Sequence, residues 1–256
     1  MPDKCQTSAF YVPPGMFGGD GRVVFDERET VHIGKVLRLK PGAVVEVLDG
    51  CGGIHEVILG AERASRLEGK VVSSRSVPPP LPSISTALAI GRRERLRAVV
   101  EKLAELGCRR FLPLECEHLQ YPGRLERQAE KLQEVAVSTL KQCRRPHLMQ
   151  IGRPVDIAGL LDAAGKGAAR PVFCHRPGTG GKTLKRAGEP LGKEDEYVLV
   201  VGPEGGFSSA ERSLIESSGC PCLDLGRWWL RSETAALAGF TLLASELWGE
   251  FGIFSC

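Results

Sequence analysis

Residues 197–211 read YVLVVGPEGGFSSAE, an apolar run followed by a glycine-rich turn and a new helix. The run Tyr197–Val201 is typical of a buried strand, and Ser208 with Glu211 has the spacing of a helix capping box. The glycines leave main-chain N–H and C=O groups uncovered at the carboxyl end of the strand, where open α/β sheets bind ligands. The stretch therefore predicts an α/β domain with a small-ligand site, and the alternative is a tight turn with a structural role only.

A second loop of similar character follows about twenty residues later, where residues 223–236 read LDLGRWWLRSETAA. Ser232 is the predicted N-cap of the last helix, whose N-terminus attracts anionic groups. Arg231 stands just before it, where a cation is disfavoured by the helix dipole. A residue placed against local preference favours a role in a site. The small residues 235–239 permit close backbone approach, which could serve a ligand, although helix packing is favoured. The two loops predict two walls of one site.

The composition is that of an ordinary globular protein, with 42% hydrophobic and 25% charged residues, and 256 residues allow one large or two modest domains. The net charge of +3 permits a nucleic-acid partner without requiring one. The nine cysteines include no Cys-x-x-Cys pair, so we expect reduced thiols and no metal site. The sequence shows neither a signal-peptide pattern nor an apolar run long enough to span a membrane, and we expect a cytoplasmic protein.

The predicted pattern of secondary structure changes at a proline cluster. Residues 1–74 predict a small β-barrel, with strands at 44–48 and 53–59 joined by an Asp49-Gly50 hairpin. Residues 75–82 contain four prolines and predict a stiff linker. Residues 83–256 alternate strands and helices, which is typical of a parallel sheet covered on both faces.

The second domain has a clear predicted element order. Strands are expected at 84–90, 111–114, 147–151, 171–174, 197–201 and 221–225. Helices are expected at 92–106, 124–142, 155–164, 209–218 and 232–249, with Gly107 ending the first of them.

Two other features have competing interpretations. Residues 178–183 resemble a phosphate loop, but Arg176 occupies the position where its first glycine belongs, which favours a surface loop. Three basic clusters are either solvated faces or parts of a phosphate-binding surface. These clusters are Lys35/Arg38/Lys40, Arg92/Arg93/Arg95/Arg97 and Lys141/Arg144/Arg145/His147. His32 and His55 lack metal-ligand spacing, and structural roles are favoured for both.

The paired motif of the two loops resembles the RsmE family of ribosomal RNA small-subunit methyltransferases, which act on N3 of a uridine. The motif consists of residues 201–208 followed by Leu225-Gly226, Leu230-Arg231 and Glu233-Thr234-Ala235. Further likeness extends over residues 101–107, 142–146, 32–38, 42 and 49–50. The chain departs from the family at Ser8-Ala9, where relatives usually carry an arginine, and at Trp228-Trp229, where they tend to have Arg-Ile. Both changes concern substrate contacts more than the cofactor site.

The resemblance implies an N-terminal PUA-like β-barrel for RNA and a C-terminal SPOUT α/β domain with a deep trefoil knot, in a homodimer. It implies S-adenosyl-L-methionine as cofactor and ribosomal RNA or the small ribosomal subunit as partner. Neither the knot nor the cofactor follows from the periodicity of the sequence, since knots are rare in proteins.

Within that family, uridine N3 must lose its proton before it can attack a methyl group, so a cation near the uracil carbonyls would help. We nominate Arg231 as the anion stabiliser, Arg38 as a second candidate from the RNA domain and Glu233 as a proton acceptor. The residues expected to lie against the cofactor are Gly202, Pro203, Glu204, Gly205, Gly206, Leu225, Gly226 and Leu230.

Two alternatives stay open from the sequence. One is a SPOUT methyltransferase for another RNA base or for transfer RNA, and the other is an RNA-binding assembly factor without catalysis. The intact residues 202–206 argue against the second alternative, while Ala9 and Trp228 argue weakly for it.

Overall fold

The computed structural model describes residues 9–63, 66–91, 93–119, 128–175 and 195–249. The chain divides into two compact units. The first comprises Met1–Pro79 with Val137–Leu148, and the second comprises Pro80–Ala136 with Met149–Cys256. The sequence predicts residues 137–148 in the second domain, whereas in the structure this segment belongs to the first unit. The limits of the functional domains stay a prediction.

The first unit contains a five-stranded sheet of order β1-β3-β4-β5-β2. Its strands are β1 (Ala9–Tyr11), β2 (Arg22–Val24), β3 (Val44–Leu48), β4 (Gly53–Arg63) and β5 (Arg66–Ser76). β1 pairs with β3 in parallel and the other ladders are antiparallel. A short helix, α1 (Glu27–Val31), continues into a π-helical turn at His32–Val36.

The predicted hairpin at Asp49-Gly50 is confirmed by the antiparallel pairing of β3 with β4. The Asp49 side chain holds the turn because its Oδ1 accepts hydrogen bonds from the backbone N–H of Cys51 at 2.7 Å and of Gly53 at 2.8 Å. Along β3, Val45 and Val47 are buried while Val44 is 50% exposed. The period of two therefore sends one face of the strand into the core of the first unit.

Residues 137–148 complete the core of the first unit. Leu140 packs with Ala9, Leu48 and Ile54 in one buried cluster. Lys141 Nζ lies 2.6 Å from Oε1 of the buried Glu29. Backbone hydrogen bonds also hold this segment to the first unit, because residues 50 and 52 each form one of 2.9 Å with residues 146–148.

The second unit contains a six-stranded sheet of order β11-β9-β10-β6-β7-β8, and all of its ladders are parallel, which confirms the predicted α/β class. The strands are β6 (Ser83–Leu88), β7 (Arg110–Pro113), β8 (Gln150–Ile151), β9 (Arg170–His175), β10 (Glu196–Val201) and β11 (Cys222–Asp224). Its helices are α2 (Arg93–Leu106), α4 (Ile157–Gly165), α5 (Ser209–Ser217) and α6 (Ser232–Trp248), while α3 (Ala129–Cys143) begins in this unit and ends in the first.

The central strands of this sheet carry continuous apolar runs because both of their faces are covered. β6 is buried along its whole length, and β10 is buried from Tyr197 to Val201. The predicted capping box between Ser208 and Glu211 is confirmed at the start of α5. The helix predicted from Arg124 is described from Ala129 onward, and residues 124–127 and the loop 178–183 lie outside the described residues.

Strand order explains why the two predicted loops share one edge. β9 lies between β10 and β11, and all three strands run in parallel. Because their carboxyl ends meet at the same edge of the sheet, the chain leaves β10 and β11 on the same side. Helix α6 then packs closely over this region, since a Cβ on Gly239 would lie 2.9 Å from Cys174 Sγ and 3.2 Å from a Leu199 methyl group.

Candidate functional site

The first wall of the candidate site is the glycine loop, Gly202–Phe207. The N–H of Gly206 donates to the Pro203 carbonyl at 2.8 Å, and Gly206 has a φ of +74°, which glycine adopts without strain. A Cβ on Gly202 would lie 2.9 to 3.1 Å from three ring carbons of Phe207. The loop is therefore a tight turn in which the Gly202 backbone packs closely against the Phe207 ring.

The second wall runs from the end of β11 to the start of α6. The N–H of Gly226 donates to Asp224 Oδ1 at 2.8 Å, which fixes the turn after β11. At the other end, Ser232 Oγ donates to the carbonyl of Gly202 at 3.0 Å. This hydrogen bond joins the start of α6 directly to the glycine loop, so the two predicted walls do meet.

The predicted N-cap at Ser232 is wrong by one residue. Arg231 is the N-cap, with extended backbone and no side-chain cap hydrogen bond, and Ser232 is the first helical residue. The Ser232 hydroxyl is engaged with the Gly202 carbonyl, which explains why it does not cap its own helix. Arg231 is exposed beside this junction.

An ion-pair cluster connects the walls. Arg95 on α2 pairs with Glu204 of the glycine loop, and its Nε lies 3.6 Å from Glu233 Oε1. The other carboxylate oxygen, Glu233 Oε2, is buried and has no hydrogen-bond partner among the described residues. A buried acceptor without a partner is costly, so this oxygen is suited to a ligand that brings an N–H, an O–H or a positive charge.

The loop after β7 supports the glycine loop from a third side. His118 Nδ1 lies 3.1 Å from the Gly206 carbonyl, and since a carbonyl only accepts, this nitrogen carries the proton. Glu211 Oε1 accepts from the N–H of Glu117 at 3.0 Å while Oε2 accepts from the N–H of Ser208 at 2.7 Å. Burial, with the Glu211 carboxylate nearby, raises the pKa of the Cys116 thiol to about 12. Glu211 of the capping box therefore also links the loop after β7 to the end of the glycine loop.

The structure brings most of the predicted site residues to one edge of the second unit. Residues 202–206, 225–226 and 230–231 follow β10 and β11, and Glu233 lies in the first turn of α6. Arg38 belongs to the first unit, where it is exposed and has a φ of +54°, and its role stays a prediction.

Sequence reasoning missed two residues of the site. Arg95 stood in a basic cluster interpreted as a solvated or phosphate-binding face, but it pairs with two glutamates. His118 gave no signal, because its contact with Gly206 joins positions 88 residues apart. In the part of the chain that the structure describes, no three His, Cys, Asp or Glu residues are grouped to hold a metal ion. None of the described helices combines the length and apolar character needed to cross a membrane.

Comparison with known families identifies this arrangement. The profile of the RNA methyltransferase domain matches residues 78–244, which covers the whole six-stranded sheet and the glycine loop. The chain belongs to this family. A second profile, the RNA methyltransferase PUA domain, matches residues 25–72 of the first unit, in agreement with the predicted PUA-like domain.

Individual relatives extend the family match over nearly the whole chain. Ribosomal RNA small subunit methyltransferase E of Mycobacterium bovis is 27% identical over 220 residues, which are 83% of this chain and 82% of that protein. A methyltransferase of Legionella pneumophila, solved with bound cofactor SAM, has a TM-score of 0.79 and 25% identity, covering 94% and 98% of the two chains. The methyltransferase E of Neisseria gonorrhoeae, bound to S-adenosyl methionine, has the same TM-score and coverage at 23% identity. The resemblance to the RsmE family is confirmed.

Proposed function

We propose that this protein is an S-adenosylmethionine-dependent methyltransferase that acts on N3 of a uridine in the 16S RNA of the small ribosomal subunit. The single observation that carries the proposal is the junction of the glycine loop with α6 through Ser232 and Gly202. It lies inside the RNA methyltransferase match. The names of the relatives along most of the chain support the substrate.

The residues at this junction fit S-adenosylmethionine. The cofactor carries an ammonium group, a sulfonium, ribose hydroxyls and an adenine amino group, so it offers many donors and positive charge. Glu233 Oε2 is a buried acceptor without a hydrogen-bond partner among the described residues, and three of the five residues 202–206 are glycines, which carry no side chain to block a ligand. We assign cofactor binding to the residues of the two walls, namely Gly202, Pro203, Glu204, Gly205, Gly206, Leu225, Gly226 and Leu230. When bound, the cofactor supplies an electrophilic methyl group.

Residues of the protein must favour the loss of the N3 proton from the uridine. Arg231 is exposed beside the junction, where its guanidinium can stabilise the negative charge that develops on the uracil carbonyls when N3 loses its proton. Arg95 Nε lies 3.6 Å from Glu233 Oε1, and the second oxygen, Oε2, is the one that can accept a proton or a hydrogen bond. Arg38 stays the second candidate for stabilising the anion, from the family resemblance.

Helix α6 supports a homodimer. Only Glu233 and Glu246 are charged among its seventeen residues, so little of the helix surface strongly favours contact with water. One face nevertheless stays accessible in the single chain: Leu242 is 42% exposed, and Thr234, Ala238 and Ser245 lie on the same face. We propose that a second copy covers this face. The trefoil knot and the cytoplasmic location are proposed from the family resemblance.

The test uses small ribosomal subunits that lack the modification. The protein is incubated with radiolabelled S-adenosylmethionine, the labelled base is mapped by nuclease digestion and mass spectrometry, and cofactor affinity is measured by calorimetry. We expect label at uridine N3, reduced at least ~100-fold by Arg231→Ala with little change in cofactor affinity, because removal of one oxyanion-type donor costs this much. Arg212→Ala, an exposed arginine on α5, is the matched control.

Each other outcome points to a named alternative. Label on a different base would favour a SPOUT enzyme for another substrate. Cofactor binding without transfer to any RNA would favour the non-catalytic RNA-binding protein. Full activity of Arg231→Ala would remove this arginine from the mechanism.

A further inference from the structure

The segment that joins β11 to α6 presents two adjacent tryptophans to the outside. Trp228 is 76% exposed and Trp229 is 69% exposed, and Leu230 beside them is 38% exposed. Tryptophan is highly buried on average, so a neighbouring pair at this exposure marks an interaction surface.

The charges around the pair select the kind of partner. Arg227 and Arg231 flank the tryptophans, both are exposed, and residues 225–232 contain no acidic side chain. A surface of aromatic faces between guanidinium groups matches an unpaired nucleotide, whose base stacks on the ring while its phosphates meet the cations. A base inside a duplex does not offer its face, so the surface discriminates against paired RNA.

The position of the pair links it to the proposed chemistry. The segment is fixed at one end by the hydrogen bond from Gly226 to Asp224 and at the other by that from Ser232 to Gly202. Both anchors belong to the candidate site, so the segment that carries the tryptophans begins and ends there, and the pair stands only two or three residues before Arg231. A nucleotide stacked there would adjoin the uridine that Arg231 contacts.

We propose that Trp228 and Trp229 form a stacking platform for an unpaired base adjacent to the target uridine. The inference rests on the proposed function, because it places the platform at the RNA entrance of the same site. The platform selects RNA that is single-stranded near the target uridine. It takes no part in methyl transfer itself.

The experiment measures binding of a fluorescein-labelled oligouridylate of eight nucleotides, and of the same strand in a duplex with oligoadenylate, to the full chain. Trp228→Ala and Trp229→Ala should each weaken single-strand binding on the order of tenfold, as expected for loss of one stacked base. The duplex should bind weakly to all variants. Leu214→Ala, which truncates a 44% exposed leucine on α5, is the matched control and should bind like the unaltered protein.

A rescue variant separates stacking from folding. The double substitution Trp228→Phe/Trp229→Phe should keep single-strand affinity within about threefold, because phenylalanine retains an aromatic face. Oligouridylate should quench the intrinsic fluorescence of the unaltered protein but not of this variant, whose remaining tryptophan is Trp248, hydrogen-bonded at 2.8 Å to the Pro82 carbonyl.

Two results would overturn the platform. One is equal oligouridylate affinity of both alanine variants and the control. The other is alanine variants that turn monomeric in sedimentation while keeping their RNA affinity, which would mean that a second copy covers the pair. Cofactor affinity is measured in parallel by calorimetry, because Gly226 and Leu230 of the cofactor wall flank the pair, and RNA affinities are compared at saturating cofactor. Failure of the unaltered protein to bind S-adenosylmethionine would refute the proposed function without touching the stacking result.

Discussion

Replacing Gly202 by alanine should strain the glycine loop against one neighbour, the ring of Phe207. The added Cβ would meet the ring carbons at 2.9, 3.0 and 3.1 Å, whereas ordinary contacts begin at 3.4 Å. The ring would therefore have to retreat by about 0.5 Å to reach ordinary contact distance. Its retreat is limited, because it packs edge-on against the buried Phe173 at a centroid distance of 6.4 Å.

The size of the effect follows from two opposing terms. Overpacking by one methyl group costs about 1–3 kcal/mol. Loss of glycine freedom in the unfolded chain returns about 0.4–1 kcal/mol. We expect Gly202→Ala to lower the free energy of unfolding by about 1–2 kcal/mol. Cofactor affinity should fall as well, because the loop that carries the binding groups is displaced.

Phe207→Leu supplies the matched partner for a double-mutant cycle. Leucine lacks the three ring carbons that the new Cβ would meet, so it should relieve the strain while keeping apolar volume. We expect a coupling free energy of about 1 kcal/mol or more between the two substitutions, measured by urea unfolding of the four proteins. Additive effects within about 0.5 kcal/mol would refute the argument, since the ring would then not be what makes glycine necessary.

Two further predictions concern buried groups elsewhere in the chain. Lys141→Met should cost about 3 kcal/mol in urea unfolding, because it leaves the buried Glu29 carboxylate without its cation, whereas Lys166→Met in an exposed pair should cost under about 0.5 kcal/mol. Equal effects of the two would contradict the burial argument. Burial raises the pKa of the Cys174 thiol to about 12, so the thiolate that reacts is scarce at pH 8 and becomes abundant only near pH 12. Peptide mapping after thiol labelling at pH 8 should find Cys51, which is exposed, modified well before Cys174.

Local sequence signals predicted those parts of the fold and site that depend on neighbouring residues. The capping box of Ser208 and Glu211 and the apolar run of β10 are read within a few positions, and both are confirmed. The glycine loop was found in the same way, because its glycines directly follow a strand. Parallel pairing then followed from the alternation of strands and helices.

The parts that sequence reasoning missed depend on contacts between distant positions. Ser232 has the composition of an N-cap, but its hydroxyl bonds to a carbonyl thirty residues earlier, which no local pattern shows. Arg95 reads as one cation among several until Glu204 and Glu233 are seen beside it. Residues 137–148 read as the end of a helix in the second domain, and only packing with Leu48 and Ile54 reveals where they belong.

That last segment has a consequence for how the chain is made. A ribosome delivers the N-terminal strands first, and domains generally fold in that order during synthesis. Until translation has passed residue 148, Leu48 and Ile54 of the early strands have no Leu140 to pack against. Glu29 likewise has no Lys141 to pair with. Part of the core of the first unit therefore stays exposed while about sixty residues of the second unit are synthesised. A fragment cut at the proline linker would carry this unfinished state permanently.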